Sequence, residues 1–223
     1  GLDIIAGFDI DDTCKYAYEK NNKSTFYNQD IKTVTKEQIS SLFKGYDIKV
    51  LAGCAPCQPF SSYAFKVKDK DKNKYDLLYE FGRIVEEVLP DIVTMENVAQ
   101  ILSFKQKPVL SDFVNLLERN QYHVDFKIVY CPDYGIPQTR KRIVLLASRL
   151  GEINLIPSTH KKKNYKTVRQ TIGKLPPIEA GEICPTDPLH RARSLSELNL
   201  KRIRATPIKG SWRDWDKDLI LNC

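Results

Sequence analysis

Between Asp3 and Ala147 short apolar runs alternate with stretches of helical periodicity. Asp3-Ile-Ile-Ala-Gly-Phe8 predicts a strand ending in acids, followed by a helix capped at Asp11 or Asp12. Thr35-Lys-Glu-Gln38 has the form of a capping box and predicts a helix to about Phe43. Asp47 to Ala52 predicts the next strand, followed by a proline-rich loop and a lysine-rich one from Lys66 to Lys74. Leu78, Phe81, Ile84, Val85 and Val88 recur at helical spacing within 77–89. Pro90 to Met95 reads as a buried strand, Val109 to Leu117 as a helix, and Tyr122 to Tyr130 and Arg142 to Ala147 as strands.

Such alternation predicts an α/β fold with a mainly parallel sheet and helices on both faces, because parallel strands need crossovers that helices supply. Ligands of such sheets sit at the carboxyl ends of the strands. After about Gly151 prolines, loops and basic residues such as Arg191, Arg193, Lys201, Arg202 and Arg204 take over. The expected division is therefore a domain over 1–150 and a loop-rich appendage over 151–223.

Composition narrows the function classes. Thirty-five Lys and Arg against 28 Asp and Glu give a formal charge of +7, which favours a polyanionic partner such as nucleic acid. No apolar run approaches a membrane span, and no charged-then-apolar leader is visible, so a soluble cytoplasmic protein is expected. Of the six cysteines only Cys54 and Cys57 are close in sequence, and His123, His160 and His190 are isolated, so neither a disulfide framework nor a metal site is expected.

Three segments carry candidate chemistry. Gly53-Cys-Ala-Pro-Cys-Gln-Pro-Phe-Ser61 follows a strand and is stiffened by two prolines, able to hold one thiol in place. Cys54 and Cys57 could form a redox dithiol or half a zinc site, or Cys57 could be a lone nucleophile. The second pair of a zinc site is missing, and Pro59 interrupts the helix that would activate a dithiol. Glu96 is expected at the carboxyl end of an apolar strand, where an acid needs a partner or a task. Asp133 to Arg142 is a turn-rich loop, and Arg140 and Arg142 would point the same way on an extended segment.

These segments resemble motifs four, six and eight of the cytosine-5 DNA methyltransferase family: Pro56-Cys57-Gln58, Glu96-Asn97-Val98 and Gln138-Thr-Arg140-Lys-Arg142, in order, over roughly residues 1–150. The resemblance implies a Rossmann-like methyltransferase fold, with S-adenosylmethionine as methyl donor and S-adenosylhomocysteine as product. It implies Cys57 as the nucleophile on carbon 6 of a flipped-out cytosine, Glu96 at ring nitrogen 3, and Arg142, supported by Arg140, at the base carbonyl. Gln58, Ser61, Asn97, Val98 and Gln138 would line the substrate site. Asp9, Ile10, Asp30, Ile31, Pro56 and Leu77 would hold the donor.

The family's glycine-rich first motif, with its strand, is absent before Gly1, and motifs nine and ten are absent before Cys223. A fragment of a longer enzyme is expected, the alternative being that another chain supplies the missing parts; 195–215 resembles the approach to the recognition region. The implied function is DNA cytosine-5 methylation in a bacterial restriction-modification system, with double-stranded DNA as substrate and a cognate endonuclease as partner. Nucleoid association would follow from DNA binding. The alternatives are a transfer RNA methyltransferase and a non-catalytic nucleic-acid-binding fragment.

Overall fold

The computed structural model describes residues 2–55, 76–103 and 108–220. They divide into two compact units, 1–171 and 172–223.

The first unit opens with β1 (Ala6–Asp9), a 3-10 turn capped by Asp11, α1 (Lys15–Asn22) and β2 (Thr25–Asn28), which pairs in parallel with β1. Thr35 caps α2 (Lys36–Leu42), its hydroxyl accepting from Gln38 N at 3.3 Å. The expected reciprocal half of the capping box is replaced, because the Gln38 amide pairs with Gln29 instead, at 2.9 Å. Next come β3 (Val50–Gly53), α3 (Asp76–Val88), β4 (Ile92–Val98), α4 (Val109–Arg119), β5 (His123–Tyr130) and β6 (Lys141–Ser148).

β3, β4, β6 and β5 lie side by side in that order. This sheet is mixed rather than mainly parallel: β3 and β4 run parallel, while β6 is antiparallel to both β4 and β5. The cause is the connection over 131–140, which turns back as a hairpin and has no room for the helix of a parallel crossover.

One face of the sheet presents Val93, Met95, Ile143, Leu145 and Ala147, all essentially inaccessible, to Phe81 and Val85 of α3 and to Phe113 and Leu117 of α4. This is the apolar stripe that the periodicity of 77–89 predicts. Ile84, on another side of α3, joins Val34, Ile39 and Phe43 in a second cluster. Arg83 ties the same helix to the turn after β2. Its guanidinium is held by Glu80 and Glu87 at 2.8 and 2.9 Å and donates to Ile31 O and Val34 O at 3.3 and 3.1 Å.

At Gly53 the Phe81 ring lies on the backbone, and an added Cβ would stand 2.5 Å from Phe81 Cζ. Phe81 is itself buried against Phe113, with ring centroids 5.6 Å apart. Gly53→Ala is therefore expected to destabilise the fold by ~1–3 kcal/mol, as overpacking of a filled core does, which a thermal melt would read. An unchanged melt would contradict this packing.

Tyr122 closes the start of β4. Its buried hydroxyl donates to Pro90 O at 2.5 Å, and burial, aided by Asp91 and opposed by Arg149, pushes the phenol up to about 12. Tyr122→Phe leaves a buried carbonyl without this donor and is expected to cost ~1–3 kcal/mol. The sign of the pH effect follows: the raised folded-state value means that stability complete below about 10 is lost as pH climbs toward about 12. That alkaline decline should be shallower in the Phe variant, measured by denaturant melts across this range.

The second unit holds a two-stranded ribbon, β7 (Ile183–Cys184) with β8 (Asp187–Arg191), and a helix, Glu197–Ala205, capped by Ser196. A further short helix, Val168–Ile172, falls at the division between the units. Within the second unit Arg202 lies over the Trp215 ring at 5.7 Å and donates to Leu219 O at 2.7 Å. Trp215 in turn donates to the Thr206 hydroxyl at 2.7 Å. Arg191, Arg193, Lys201 and Arg204 remain exposed.

Candidate active site

Alternation along β4 sorts its side chains. Val93, Met95 and Asn97 turn into the core, while Thr94 and Glu96 turn to the opposite, half-open face. Val144 of β6 stands opposite Glu96 and Arg142 opposite Val98, so Arg142 is the diagonal neighbour of Glu96. Arg142 Nε lies 2.7 Å from Glu96 Oε1, the arginine side chain 18% and the glutamate 37% exposed. A second donor of the same guanidinium is fixed on Lys141 O at 2.8 Å. Glu96 is not at the strand's end as the sequence suggests, because pairing with β6 extends β4 through Val98. The partner that a half-buried acid requires is Arg142.

β3 ends at the same place. Gly53 is in register with Met95, so the next residue, Cys54, falls beside Glu96, and its Sγ lies 3.0 Å from Glu96 Oε2. Asn97, only 1% exposed, donates to Ala55 O at 3.2 Å and accepts from Val98 N at 2.8 Å. Asn97 and Val98, expected at the substrate, are both buried. Asn97 anchors the start of the loop, and Val98 packs in the core. Pro56, Cys57, Gln58, Ser61 and the lysines of 66–74 lie outside the described residues.

Arg142 owes its position to the turn before β6. Cys131–Tyr134 forms a 3-10 turn closed by Gly135, whose φ of 79° suits glycine and whose Cβ position lies 2.7 Å from the His160 ring. Asp133 fixes that turn. Its carbonyl accepts from Thr159 N and His160 N at 2.9 Å, and its carboxylate accepts from the Tyr165 hydroxyl, pushing that phenol up to about 12. Gln138 and Arg140 are exposed. Arg140 stands exposed just before β6, and Arg142, within it, is engaged with Glu96.

Asp9, Ile10, Asp30 and Ile31, expected at a methyl donor, lie at the carboxyl ends of β1 and β2. Asp9 is in register with Asn28, whose amide donates to Ile10 O at 2.9 Å. Asp9 accepts from Asp11 N at 2.9 Å, and Ile10 is 73% exposed. Asp11 caps the next turn, its carboxyl held below the usual range by bonds from the Thr13 hydroxyl and amide. Asp30 accepts from Lys32 N at 3.0 Å, with half-buried Ile31 beside it. Leu77 is half-buried in the first turn of α3. Among the described residues no His, Cys, Asp and Glu cluster could hold a metal, and no helix is long and apolar enough to cross a membrane.

A family model for the C-5 cytosine-specific DNA methylases matches residues 1–210. The chain belongs to this family. It is 43% identical over all 223 residues to the Type II methylase M.HgiDII of Herpetosiphon aurantiacus, and spans 62% of that protein. To the Type II methyltransferase M.XorII of Xanthomonas oryzae it is 28% identical over 81% of its length, spanning 43% of the relative. Among solved structures, a protein encoded within an E. coli prophage is 25% identical, superposes with a TM-score of 0.65, and is matched over 82% of this chain and 51% of that one. S. pombe Dnmt2, at 21% identity and a TM-score of 0.52 over 69% of this chain and 44% of that one, shares the fold.

The chain therefore has the α/β, Rossmann-like architecture of these methyltransferases, and as a methylase family member it implies a methyl donor. Two participants escape a reading of the methylase motifs. Cys54 looks like half of a dithiol, and only the β3–β4 register reveals its place beside Glu96. Asn28 carries no motif, yet it braces the strand end at Asp9 and Ile10.

Proposed function

We propose that these residues are the catalytic part of an S-adenosylmethionine-dependent DNA (cytosine-5)-methyltransferase of a restriction-modification system. The observation that carries this reading is the Glu96 carboxylate, bridged to Arg142 on the open face of the sheet and adjoining the loop that leads to Cys57. The identity with Type II methylases supports DNA as the substrate.

The donor residues fit. Exposed Ile10 offers an apolar face for adenine, and Asp9 and Asp30 bring carboxylates to the same edge for hydroxyl and amino groups. Bound there, S-adenosylmethionine would supply an electrophilic methyl group, S-adenosylhomocysteine being its product, and Pro56 and Leu77 would add to the residues that hold it. Cys57, as thiolate, adds to carbon 6 of the extruded cytosine, forming a carbon–sulfur bond and sending the ring electron pair toward nitrogen 3. Glu96 meets it there with a proton. Arg142 holds the base carbonyl oxygen as charge develops, with Arg140 and Gln138 at the rim. Carbon 5, now electron-rich, takes the methyl group as the nitrogen 3 proton returns to Glu96; a water molecule then takes the carbon 5 proton while the bond to Cys57 breaks, restoring the ring and the thiolate. Gln58 and Ser61, close to Cys57 in sequence, would contact the base.

Residues 1–150 serve as the catalytic domain and 151–223 lead toward the target-recognition region, where exposed Arg191, Arg193, Lys201 and Arg204 contact phosphates. Among the described residues β1 pairs only with β2, and β3 only with β4, which supports a strand from outside these residues standing between them. Such an enzyme works in the bacterial cytoplasm on nucleoid DNA, beside an endonuclease of the same specificity.

The test is transfer of tritiated methyl by the full-length protein to amplified, unmethylated duplex DNA and to transfer RNA. Label at carbon 5 of cytosine in DNA is expected. Label confined to RNA, or none in either, overturns the reading.

A further inference from the structure

We propose that Cys54 is a positioning residue for Glu96, holding the carboxylate in the orientation that meets the base; the inference rests on the reading of Glu96 given above. The parallel register of β3 and β4 ends with Gly53 beside Met95, and one step further along both strands sets Cys54 beside Glu96. Gly53 enforces this step, because the Phe81 ring lies against its backbone on the core side and leaves the next side chain to the other face. Asn97 fixes the residue after, by its bond to Ala55 O. Cys54 is thus flanked by Gly53 and Ala55, both fixed against β4.

Glu96 needs such help. Its side chain has several rotatable bonds, it is 37% exposed, and Arg142 engages one oxygen at 2.7 Å. One contact leaves the carboxyl plane free to swing about it. The Cys54 sulfur, 3.0 Å from the second oxygen, closes that freedom. A thiol also suits the task chemically. It donates weakly to a carboxylate, accepts weakly from a carboxylic acid, and so follows Glu96 through gain and loss of its proton. Because either bond is weak, the base can displace it without a large penalty. Holding a reacting group close to its working orientation raises the rate of the chemical step rather than the affinity for substrate.

The experiment measures kcat and the KM for amplified, unmethylated duplex DNA with the full-length protein, in wild type, Cys54→Ala, Cys54→Ser, Glu96→Gln and the Cys54→Ala/Glu96→Gln double variant. Cys54→Ala is expected to lower kcat about tenfold, the loss of roughly one hydrogen bond to a charged group, with KM changed by less than about twofold. Cys54→Ser, which can also donate and accept, should recover kcat to within about threefold of wild type. In the Glu96→Gln background the alanine substitution should have no further effect, since its effect acts through Glu96. Equal loss in the Ala and Ser variants, a rise in KM with unchanged kcat, or multiplicative losses in the double variant would each overturn the proposal. If Glu96→Gln by itself leaves kcat intact, the reading of Glu96 fails first and this inference falls with it, an outcome distinct from the other three.

Discussion

Replacing Cys57 with alanine is expected to abolish methyl transfer to DNA, a loss of ~10⁴-fold or more, while DNA binding stays within about threefold. Carbon 5 of cytosine is too electron-poor to attack a methyl group until a nucleophile has added at carbon 6. Among the described residues, Cys54 is directed at Glu96, with Sγ 3.0 Å from Oε2. Binding is expected to survive because the proposed phosphate contacts by basic residues do not involve the sulfur. Retention of transfer within about tenfold of wild type, read from tritium incorporated under saturating DNA, would remove Cys57 from the mechanism.

Glu96→Gln should lower kcat by ~10²–10⁴, the range that general acid catalysis supplies, with smaller effects on binding. The amide keeps the shape and can still accept from Arg142, so the sheet should be preserved. What is lost is the acidic proton for ring nitrogen 3. The half-open face supports this separation of effects, because a glutamate 37% exposed contributes little to stability through its ion pair. A melt within a few degrees of wild type, together with the fall in kcat, is the expected pair of results. A cooperative loss of structure would make the Glu96–Arg142 pair a scaffold element instead.

Much of this arrangement is legible in the residues alone, for reasons that can be named. The stripe of Leu78, Phe81 and Val85 forecasts α3 because one face of that helix does bury against the sheet. Glu96 draws attention because an acid in an apolar strand needs a partner, and Arg142 is that partner. Strand direction is less visible. The alternation of β5 and β6 is the same for either sense of pairing, and only the tight turn through Gly135 decides for antiparallel. β2 escapes because it is four residues long and buries only Phe26 among polar neighbours. Cys54 is misleading in sequence, where its nearness to Cys57 suggests a dithiol, since register between strands distant in the chain cannot be read from spacing. Arg140 and Arg142 look equivalent until the start of β6 falls between them.

The proposed convergence of Cys57, Glu96 and Arg142 on one cytosine is tested most directly by trapping. Duplex DNA bearing 5-fluorocytosine at the target has no proton to lose from carbon 5, so the carbon–sulfur bond at carbon 6 cannot break after methylation. Incubation of the full-length protein with this DNA and S-adenosylmethionine should give a denaturant-resistant adduct, mapped by peptide sequencing to Cys57 and absent in Cys57→Ala. No adduct, or one mapped to Cys54, would contradict the account.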